Sequence, residues 1–270
     1  MMTLSTFTAS GRAFDAIAYE YDTLFTYSVV GTAQRESVWA VLSQVFKPGD
    51  RVLELNCGTG EDALFLAHRE IHVLACDASK SMIDVASRKS SNVRTRGSIQ
   101  FLCLPTENIA NLVNQRFDGV LSNFSGLNCV QDIAALAATL CKVVKVGSKM
   151  VLCVSSRICA WELLYYGVRF DAKRAFRRLS GRVVKSFDGQ QFTVTYPTLA
   201  KMREAFSPWF RVRSISAVGL CIPPSYLEHW ARSHPKTLQM LKALDRQLAT
   251  LPLFRVLGDH VLVVFEKVTR

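Results

Sequence analysis

The sequence predicts one doubly wound α/β domain, on three observations. Apolar, strand-like runs alternate with helical periods between residues 51 and 155, a glycine turn follows the first of these strands, and the alternation stops after Ser155. At 270 residues with 49% hydrophobic content, the chain can build one large core with an elaboration better than two separate ones. No repeat, low-complexity tract or linker divides it.

An N-terminal helical region runs from about Ala13 to Phe46, interrupted near Gly31, and ends at the turn Lys47-Pro48-Gly49-Asp50. Arg51–Asn56 reads as a strand, Gly60–His68 as a helix, Ile71–Cys76 as a strand and Ser79–Ser90 as a helix. Ile99–Leu104, Phe117–Asn123 and Lys149–Ser155 are further strands, with helices over Thr106–Val113 and Val130–Val144 between them. Strands separated by helices imply a parallel sheet with right-handed crossovers. Beyond Ser155 the pattern predicts an aromatic, basic helix over Ala160–Leu179, a β-like Gln191–Tyr196 and a helix over Thr198–Phe206. A strand at Phe210–Ile215, a helical stretch over Ser225–Ala249 and a last strand at His260–Lys267 complete the chain.

The net charge of +11 is uneven: residues 1–150 carry 14 Lys/Arg and 14 Asp/Glu, whereas residues 151–270 carry 19 and 8. The whole excess therefore lies in the last part, which points to an anionic partner there, whether substrate, carrier, membrane surface or nucleic acid. The eight cysteines form no C-x-x-C pair and lie mostly in apolar patterns, the signature of small buried hydrophobes in a reducing compartment. His229 and His234 do not share a helical face, so no metal site is expected. No signal-type apolar run opens the chain at Met1–Phe7, and no window approaches the roughly 20 apolar residues of a bilayer span. The expectation is a soluble, cytoplasmic protein.

The most informative segment is Glu54-Leu55-Asn56-Cys57-Gly58-Thr59-Gly60-Glu61-Asp62-Ala63, a strand running through a glycine turn into a helix. Glycines there let the backbone approach a bound cofactor with no Cβ in the way. Gly58-x-Gly60-x-x-Ala63 also fits a dinucleotide fingerprint, with Asp77 downstream. A pyrophosphate needs a positive helix N-terminus, however, and Glu61, Asp62 and Glu54 would surround it with carboxylates. S-adenosylmethionine has no phosphate, and its sulfonium and ammonium groups are attracted by carboxylates.

Glu54-x-Asn56-x-Gly58-x-Gly60 resembles the first motif of class I S-adenosylmethionine-dependent methyltransferases, with Asn56 in place of its first glycine. Asn tolerates the positive φ that position needs. Asp77-Ala78-Ser79-Lys80-Ser81-Met82 resembles the second motif, Phe117–Asn123 the fourth-strand motif, and Val144-Lys145-Val146-Gly147-Ser148 the turn before the fifth strand. The N-terminal Phe14-Asp15-Ala16-Ile17-Ala18-Tyr19-Glu20-Tyr21-Asp22 resembles the segment that closes over the cofactor in small-molecule and quinone-type members; a plain core face fits the same spacing.

The resemblance implies a seven-stranded, mostly parallel sheet with an antiparallel last strand, an N-terminal helical cap and a helical/β insertion after strand 5. The chain then divides into a cap (1–48), a cofactor-binding core (49–155), a substrate-cover insertion (156–209) and a completion of the sheet (210–270). It also implies a cofactor site. Asp77 would bind the ribose hydroxyls, Met82 would pack on adenine beside Ala78, and Tyr21 would lie near the methionine end. Glu54, Asn56, Cys57, Gly58, Gly60 and Asn123 would complete the cradle. Pro105 stands where the family commonly has Asp, so the adenine amino group falls to the Thr106 backbone or to Glu107.

The fourth strand ends in Asn123-Phe124-Ser125-Gly126, not the N/D-P-P-Y/F of enzymes that methylate base or amide nitrogens, and no Pro-Cys nucleophile is present. Nucleic acid is therefore disfavoured. The expected function is methyl transfer to a small or lipid-like acceptor, with O- or C-methylation favoured; the alternatives are an RNA-modifying methyltransferase and a non-catalytic cofactor-binding protein. Phe124, Trp161, Tyr165 and Tyr226 are candidate acceptor contacts, and Lys173, Arg174, Arg177 and Arg178 form a basic cover. Methyl displacement needs mainly alignment and exclusion of water, so a dedicated base is optional. His229 is the candidate base, with a structural role open to it, and His260 is similarly ambiguous.

Overall fold

The five apolar runs become five parallel strands in the computed structural model, which describes residues 8–269. These are β1 (Arg51–Leu55), β2 (His72–Asp77), β3 (Ile99–Cys103), β4 (Phe117–Ser122) and β5 (Val144–Ser155). A separate antiparallel hairpin, β6 (Arg182–Phe187) and β7 (Gln190–Thr195), follows, and then β8 (Phe210–Val218) and β9 (His260–Lys267). The sheet runs β3-β2-β1-β4-β5-β9-β8, with β9 antiparallel to both its neighbours. This is the expected seven-stranded, mostly parallel sheet.

The helices are α1 (Ala9–Asp15), α2 (Val29–Val45), α3 (Glu61–His68), α4 (Lys80–Ser91), α5 (Ile133–Val143), α6 (Ala160–Gly167), α7 (Ala172–Ala175), α8 (Leu199–Phe206), α9 (Glu228–Ser233) and α10 (Pro235–Leu248). They cover both faces of the sheet, which is why its strands read as near-continuous apolar runs. Leu53 and Leu55 of β1 point into one core, with Leu136 and Leu140 of α5 and Met202 and Phe206 of α8. Val52 points into the other, with Val38 and Leu42 of α2 and Leu66 of α3. Strand order reverses direction between β1 and β4, so their carboxyl ends splay and leave a crevice there.

Several local expectations are corrected. The N-terminal region breaks at Tyr27-Ser28, after a π-helical turn at Asp22–Thr26, and Gly31 lies within the first turn of α2. The Ser28 hydroxyl accepts from the Gly31 N–H at 2.9 Å and thereby starts the helix one turn earlier than Gly31 suggested. β5 begins at Val144 instead of Lys149. The register of β4 on β5 shifts between Phe117 and Gly119, and Gly147 takes φ +80°, so residues 144–148 form an irregular strand entry and not a free turn. The helix over Thr106–Val113 is a 3-10 segment, Thr106–Leu112, and the one over Val130–Val144 shortens to α5, capped by the Asp132 carboxylate on the Ala135 N–H.

The helix expected over Ala160–Leu179 is three pieces, α6, α7 and a 3-10 turn at Arg177–Ser180. Phe170 adopts φ +56°, and the Asp171 carboxylate caps a new start by accepting from the Arg174 N–H. β6 was not foreseen, although its signal is present: Asp188 (φ +46°) and Gly189 (φ +75°) make the two-residue turn that closes the hairpin. The Ser225–Ala249 stretch divides at His234-Pro235, where Pro235 opens α10 with the N–H-less residue a helix start tolerates. All eight cysteines are free, and Cys103, on edge strand β3, is exposed, contrary to the buried reading. Met1–Phe7 lie outside the described residues. Among the described residues no helix is long and apolar enough to cross a membrane, and no cluster of His, Cys, Asp and Glu could hold a metal ion.

Candidate functional site

The crevice between β1 and β4 holds a cavity built on the glycine turn. Asn56, Gly58 and Gly60 all take left-handed backbone, at φ +56°, +54° and +77°. The two glycines serve different ends. A Cβ on Gly58 would meet nothing within 4 Å and would project into the cavity, whereas one on Gly60 would come within 2.9 Å of the Phe101 ring. Gly58 thus leaves room for a ligand and Gly60 for packing; Gly60 does not line the cavity. Asn56 and Cys57 do, and the Asn56 amide oxygen accepts from Thr106 and Ser122 hydroxyls at 3.3 and 3.4 Å.

Asp77, at the end of β2, accepts the Gly58 and Ser79 N–H groups, each at 2.8 Å. Burial pushes its carboxyl above its ordinary value while these hydrogen bonds oppose the shift. Each oxygen keeps a second lone pair for a ligand, and Asp77 lines the cavity together with Ala78 and the buried Met82. Thr106 and Glu107 line no part of it: Thr106 is buried behind Asn56 and Glu107 is exposed at the start of the 3-10 segment.

The N-terminal segment is clamped over this turn by two carboxylates. Asp15 accepts from the Ser79 hydroxyl at 2.6 Å and the Ser81 N–H at 2.9 Å, docking the end of α1 on the start of α4. Asp22 accepts from the Thr59 hydroxyl at 2.6 Å and pairs with Lys89 at 2.6 Å. Tyr21, between them, lines the cavity, and burial raises its phenol above the usual range.

The acidic surroundings are more balanced than the sequence suggested. Asp62 is held by Arg35 (2.6 Å), the Trp39 indole N–H (2.7 Å) and the Asn123 amide (2.9 Å), and Glu61 pairs with Lys89 at 3.2 Å. Glu54 is different. It is 1% exposed, its Oε2 has no partner among the described residues, and burial and the nearby Asp62 charge push its carboxyl well above the ordinary range. The cavity therefore combines a ribose-competent carboxylate, an open wall at Gly58, an apolar floor at Met82 and an unpartnered buried acid behind the loop. That donor set fits a cationic, phosphate-free nucleoside such as S-adenosylmethionine, and the side chains of Glu61 and Asp62 leave no anion site at the α3 N-terminus.

A second cavity adjoins the first and shares Tyr21, Arg35, Phe124, Ser155 and Lys185 with it. Tyr226 and His260 line its far side. Phe124, at φ +42°, lies between the cavities, with Arg35 over one face at 4.7 Å and the His260 ring edge-on at 5.4 Å. Tyr165 lines neither cavity but packs on Tyr226 at 4.9 Å, and Trp161 lines neither. His229 is corrected as the candidate base: it is exposed on α9 and lines none of these cavities, while its neighbour Glu228 docks α9 by accepting the Val29 and Val30 N–H groups at the start of α2. The basic cover is also split. Lys173 and Arg174 are exposed, but Arg178 is buried between Glu162 and Asp259, 2.7 Å from each, and Arg177 reaches Glu162 at 2.5 Å.

Arg35, Lys185 and the hairpin phenylalanines Phe187 and Phe192 were missed as cavity residues, and His260, which the sequence left ambiguous, lines the second cavity. The Asp-Gly turn was the available signal for the hairpin, whose phenylalanines close on Phe14 at 5.4 and 5.6 Å. The sequence could not resolve the role of His260, since its place depends on β9 inserting beside Ser155 of β5.

Residues 52–147 match the sequence profile of a family described as a methyltransferase domain. The chain is 32% identical over 152 residues to a demethylmenaquinone methyltransferase of Thermobifida fusca, an alignment covering 54% of this chain and 60% of the relative. It is 26% identical over 197 residues to the ubiquinone/menaquinone biosynthesis C-methyltransferase UbiE of Geotalea daltonii, covering 67% and 83%. The chain thus spans about three fifths of the first of these relatives. Among solved structures it is similar in fold to mycolic acid cyclopropane synthase CmaA1 (TM-score 0.64, 15% identity, 98% of this chain and 99% of that one). An S-adenosylmethionine dependent methyltransferase from Mesorhizobium loti gives a TM-score of 0.52 at 16% identity, covering 87% and 97%. Residues 52–147 thus resemble a methyltransferase domain, and the chain shares its fold with the solved S-adenosylmethionine-dependent methyltransferase it is compared with.

Proposed function

We propose that the protein transfers a methyl group from S-adenosylmethionine to a small, lipid-like acceptor, at carbon or oxygen, with a quinol-type ring as the favoured acceptor. The observation that carries this reading is the pair of adjoining cavities that meet at Phe124. One offers Asp77, the open wall at Gly58 and Met82; the other is walled by Phe25, Phe187 and Tyr226, a fit for a flat ring. When bound, S-adenosylmethionine supplies an electrophilic methyl on a sulfonium. This chain's residues would do the rest: Asp77 and Met82 hold the nucleoside, the Asp15 and Asp22 clamps and the hairpin exclude water, and Phe124 and Tyr21 set the line of approach, an alignment worth roughly 7–11 kcal/mol. The names of the relatives support a quinone-type acceptor and carbon as the accepting atom.

The acceptor's lipid character has a second support. Leu164 on α6, Val168 and Phe170 in the turn after it and Phe176 just past α7 are 62%, 65%, 95% and 55% exposed, beside the exposed Arg169, Lys173 and Arg174. An apolar patch rimmed by cations fits the surface of an anionic bilayer, where a cytoplasmic enzyme would collect such an acceptor. The test is incubation with methyl-labelled S-adenosylmethionine and a short-chain demethylmenaquinol. Label in the organic phase, located on carbon by mass spectrometry, is the expected result. Label on added RNA, or none despite cofactor binding, would establish one of the two alternatives instead.

A further inference from the structure

We propose that His260 is the proton acceptor of the second cavity, and that the cavity takes acceptors bearing an ionisable hydroxyl, a phenol or enol, whose proton passes to the imidazole. This rests on the methyl-transfer reading of the adjoining cavity and adds the chemistry of the acceptor.

The geometry comes first. His260 opens β9 and pairs with Ser155 on one side and Val218 on the other, which fixes its backbone between β5 and β8. Its side chain is 12% exposed, lines the second cavity and touches Phe124, which lines both cavities. The ring makes no hydrogen bond among the described residues, and the buried Nδ1 has no partner. The Asp259 carboxylate stands 3.8 Å from Nδ1, too far for a hydrogen bond and near enough to stabilise an imidazolium once a proton arrives. A buried, unengaged imidazole is unusual, because a structural histidine would satisfy its nitrogens.

The other ionisable groups around it are committed or of the wrong charge. Arg178 binds both Asp259 and Glu162, and Arg177 binds Glu162, so neither carboxylate is free to take a proton. Burial opposes ionisation of Asp259, but His260 and Arg178 outweigh it and hold the carboxyl down to about 2. Burial raises the phenols of Tyr226 and Tyr21, keeping them protonated. Arg35 is paired with Asp62. Lys185, on β6, makes no ion pair among the described residues and lines both cavities, where a cation favours an oxyanion. For His260 itself, burial lowers the imidazole below its usual 6.5, Asp259 opposes the shift, and Arg178 and Lys185 add to it. The ring is therefore neutral at pH 7 and able to accept.

In the step, the acceptor O–H bond breaks and an N–H bond forms on the imidazole, leaving the electron pair on an oxyanion conjugated with the adjacent ring carbon. From oxygen or from that carbon the pair attacks the methyl of the sulfonium donor, and the carbon–sulfur pair leaves with sulfur. In transfer to carbon, the ring C–H proton then leaves to water as aromaticity returns, and the imidazolium returns its proton to the oxygen. The net product of either route is one released proton.

The test uses the full chain saturated with S-adenosylhomocysteine and titrated with 4-nitrophenol, whose absorbance reports its ionisation, beside the methyl-transfer assay. In the wild type the bound probe should ionise more than the free probe at pH 6, and turnover should rise with pH along a limb centred below 6.5. His260→Gln, or His260→Asn should the first variant fail to bind S-adenosylhomocysteine, should abolish the extra ionisation and flatten that limb. Turnover should fall by about 10²-fold or more with S-adenosylhomocysteine affinity unchanged. Wild-type protein that does not bind the phenol, or variants that keep the pH limb and lose less than about threefold in turnover, would overturn the proposal. Ionisation of the bound probe without methyl transfer would sink the reading of the function and leave the role of His260 standing.

Discussion

Replacing Asp77 with Asn keeps the shape of the side chain and removes its charge, and so isolates what the carboxylate contributes. One oxygen would still accept from Gly58 or Ser79, but the other becomes an NH2, a donor, and the backbone N–H that had an acceptor 2.8 Å away loses it. A hydrogen bond to a charged group is worth about 1.5–3 kcal/mol, and an orphaned buried donor costs about 1–3 kcal/mol. The loop therefore loses stability before any ligand arrives, and a melting scan without ligand reads that part. The ribose hydroxyls should lose a charged acceptor as well. At 1.4 kcal/mol per tenfold, S-adenosylhomocysteine should bind roughly 10- to 150-fold more weakly in calorimetry on the folded variant. An affinity within twofold of wild type would mean that Asp77 only ties Gly58 to Ser79 and does not touch the nucleoside.

Gly58→Ala forces a Cβ into left-handed backbone and into the cavity, so it should cost about 1–2 kcal/mol of stability yet reduce S-adenosylhomocysteine binding much further; equal losses in melting and titration would argue against a ligand there. Glu54, whose buried carboxyl is raised above 4.5, contributes stability that is complete below pH 4.5 and is lost as pH rises through its folded value. Glu54→Gln should therefore melt progressively higher than wild type as pH goes from 4 to 8, and a constant difference would contradict the assignment. Arg178→Ala leaves Glu162 and Asp259 buried without their cation, at a cost of roughly 3–5 kcal/mol, which should lower Tm by about 6–20 °C. For the surface patch, the protein should sediment with vesicles containing anionic lipid at low salt, and Phe170→Ser with Lys173→Gln should reduce that; sedimentation untouched by either change would remove the patch from the account.

The core between residues 51 and 155 was legible because parallel strands covered on both faces leave unbroken apolar runs, and because Gly58, Asp77 and Met82 line the first cavity within a few residues of a strand end. Their roles are local, so spacing along the chain carries them. Asp15 and Asp22 were visible as residues of a resembling segment, but their partners Ser79, Thr59 and Lys89 are fixed by docking and leave no trace in sequence. The charge argument at the glycine turn overstated the free negative charge for the same reason: Arg35 and Lys89 come from distant helices and pair with Asp62 and Glu61. His229 was chosen for its aromatic neighbours, but Glu228 docks α9 on α2 and His229 is exposed there, whereas His260 gained its position from a strand inserted late in the chain. Arg177 and Arg178 read as part of a basic cover because nothing nearby in sequence shows that Asp259 would meet Arg178 or that Glu162 would take both.

The account stands or falls on two cavities serving one transfer. The most direct measurement is a crystal structure with S-adenosylhomocysteine and a short-chain demethylmenaquinol bound together. It should place the ribose hydroxyls on Asp77, the adenine over Met82 and the sulfur at Phe124, with the quinol ring in the second cavity and its hydroxyl within hydrogen-bond distance of His260. A nucleoside bound away from the Gly58 turn, or a quinol bound outside the cavity that Tyr226 and His260 line, would contradict it.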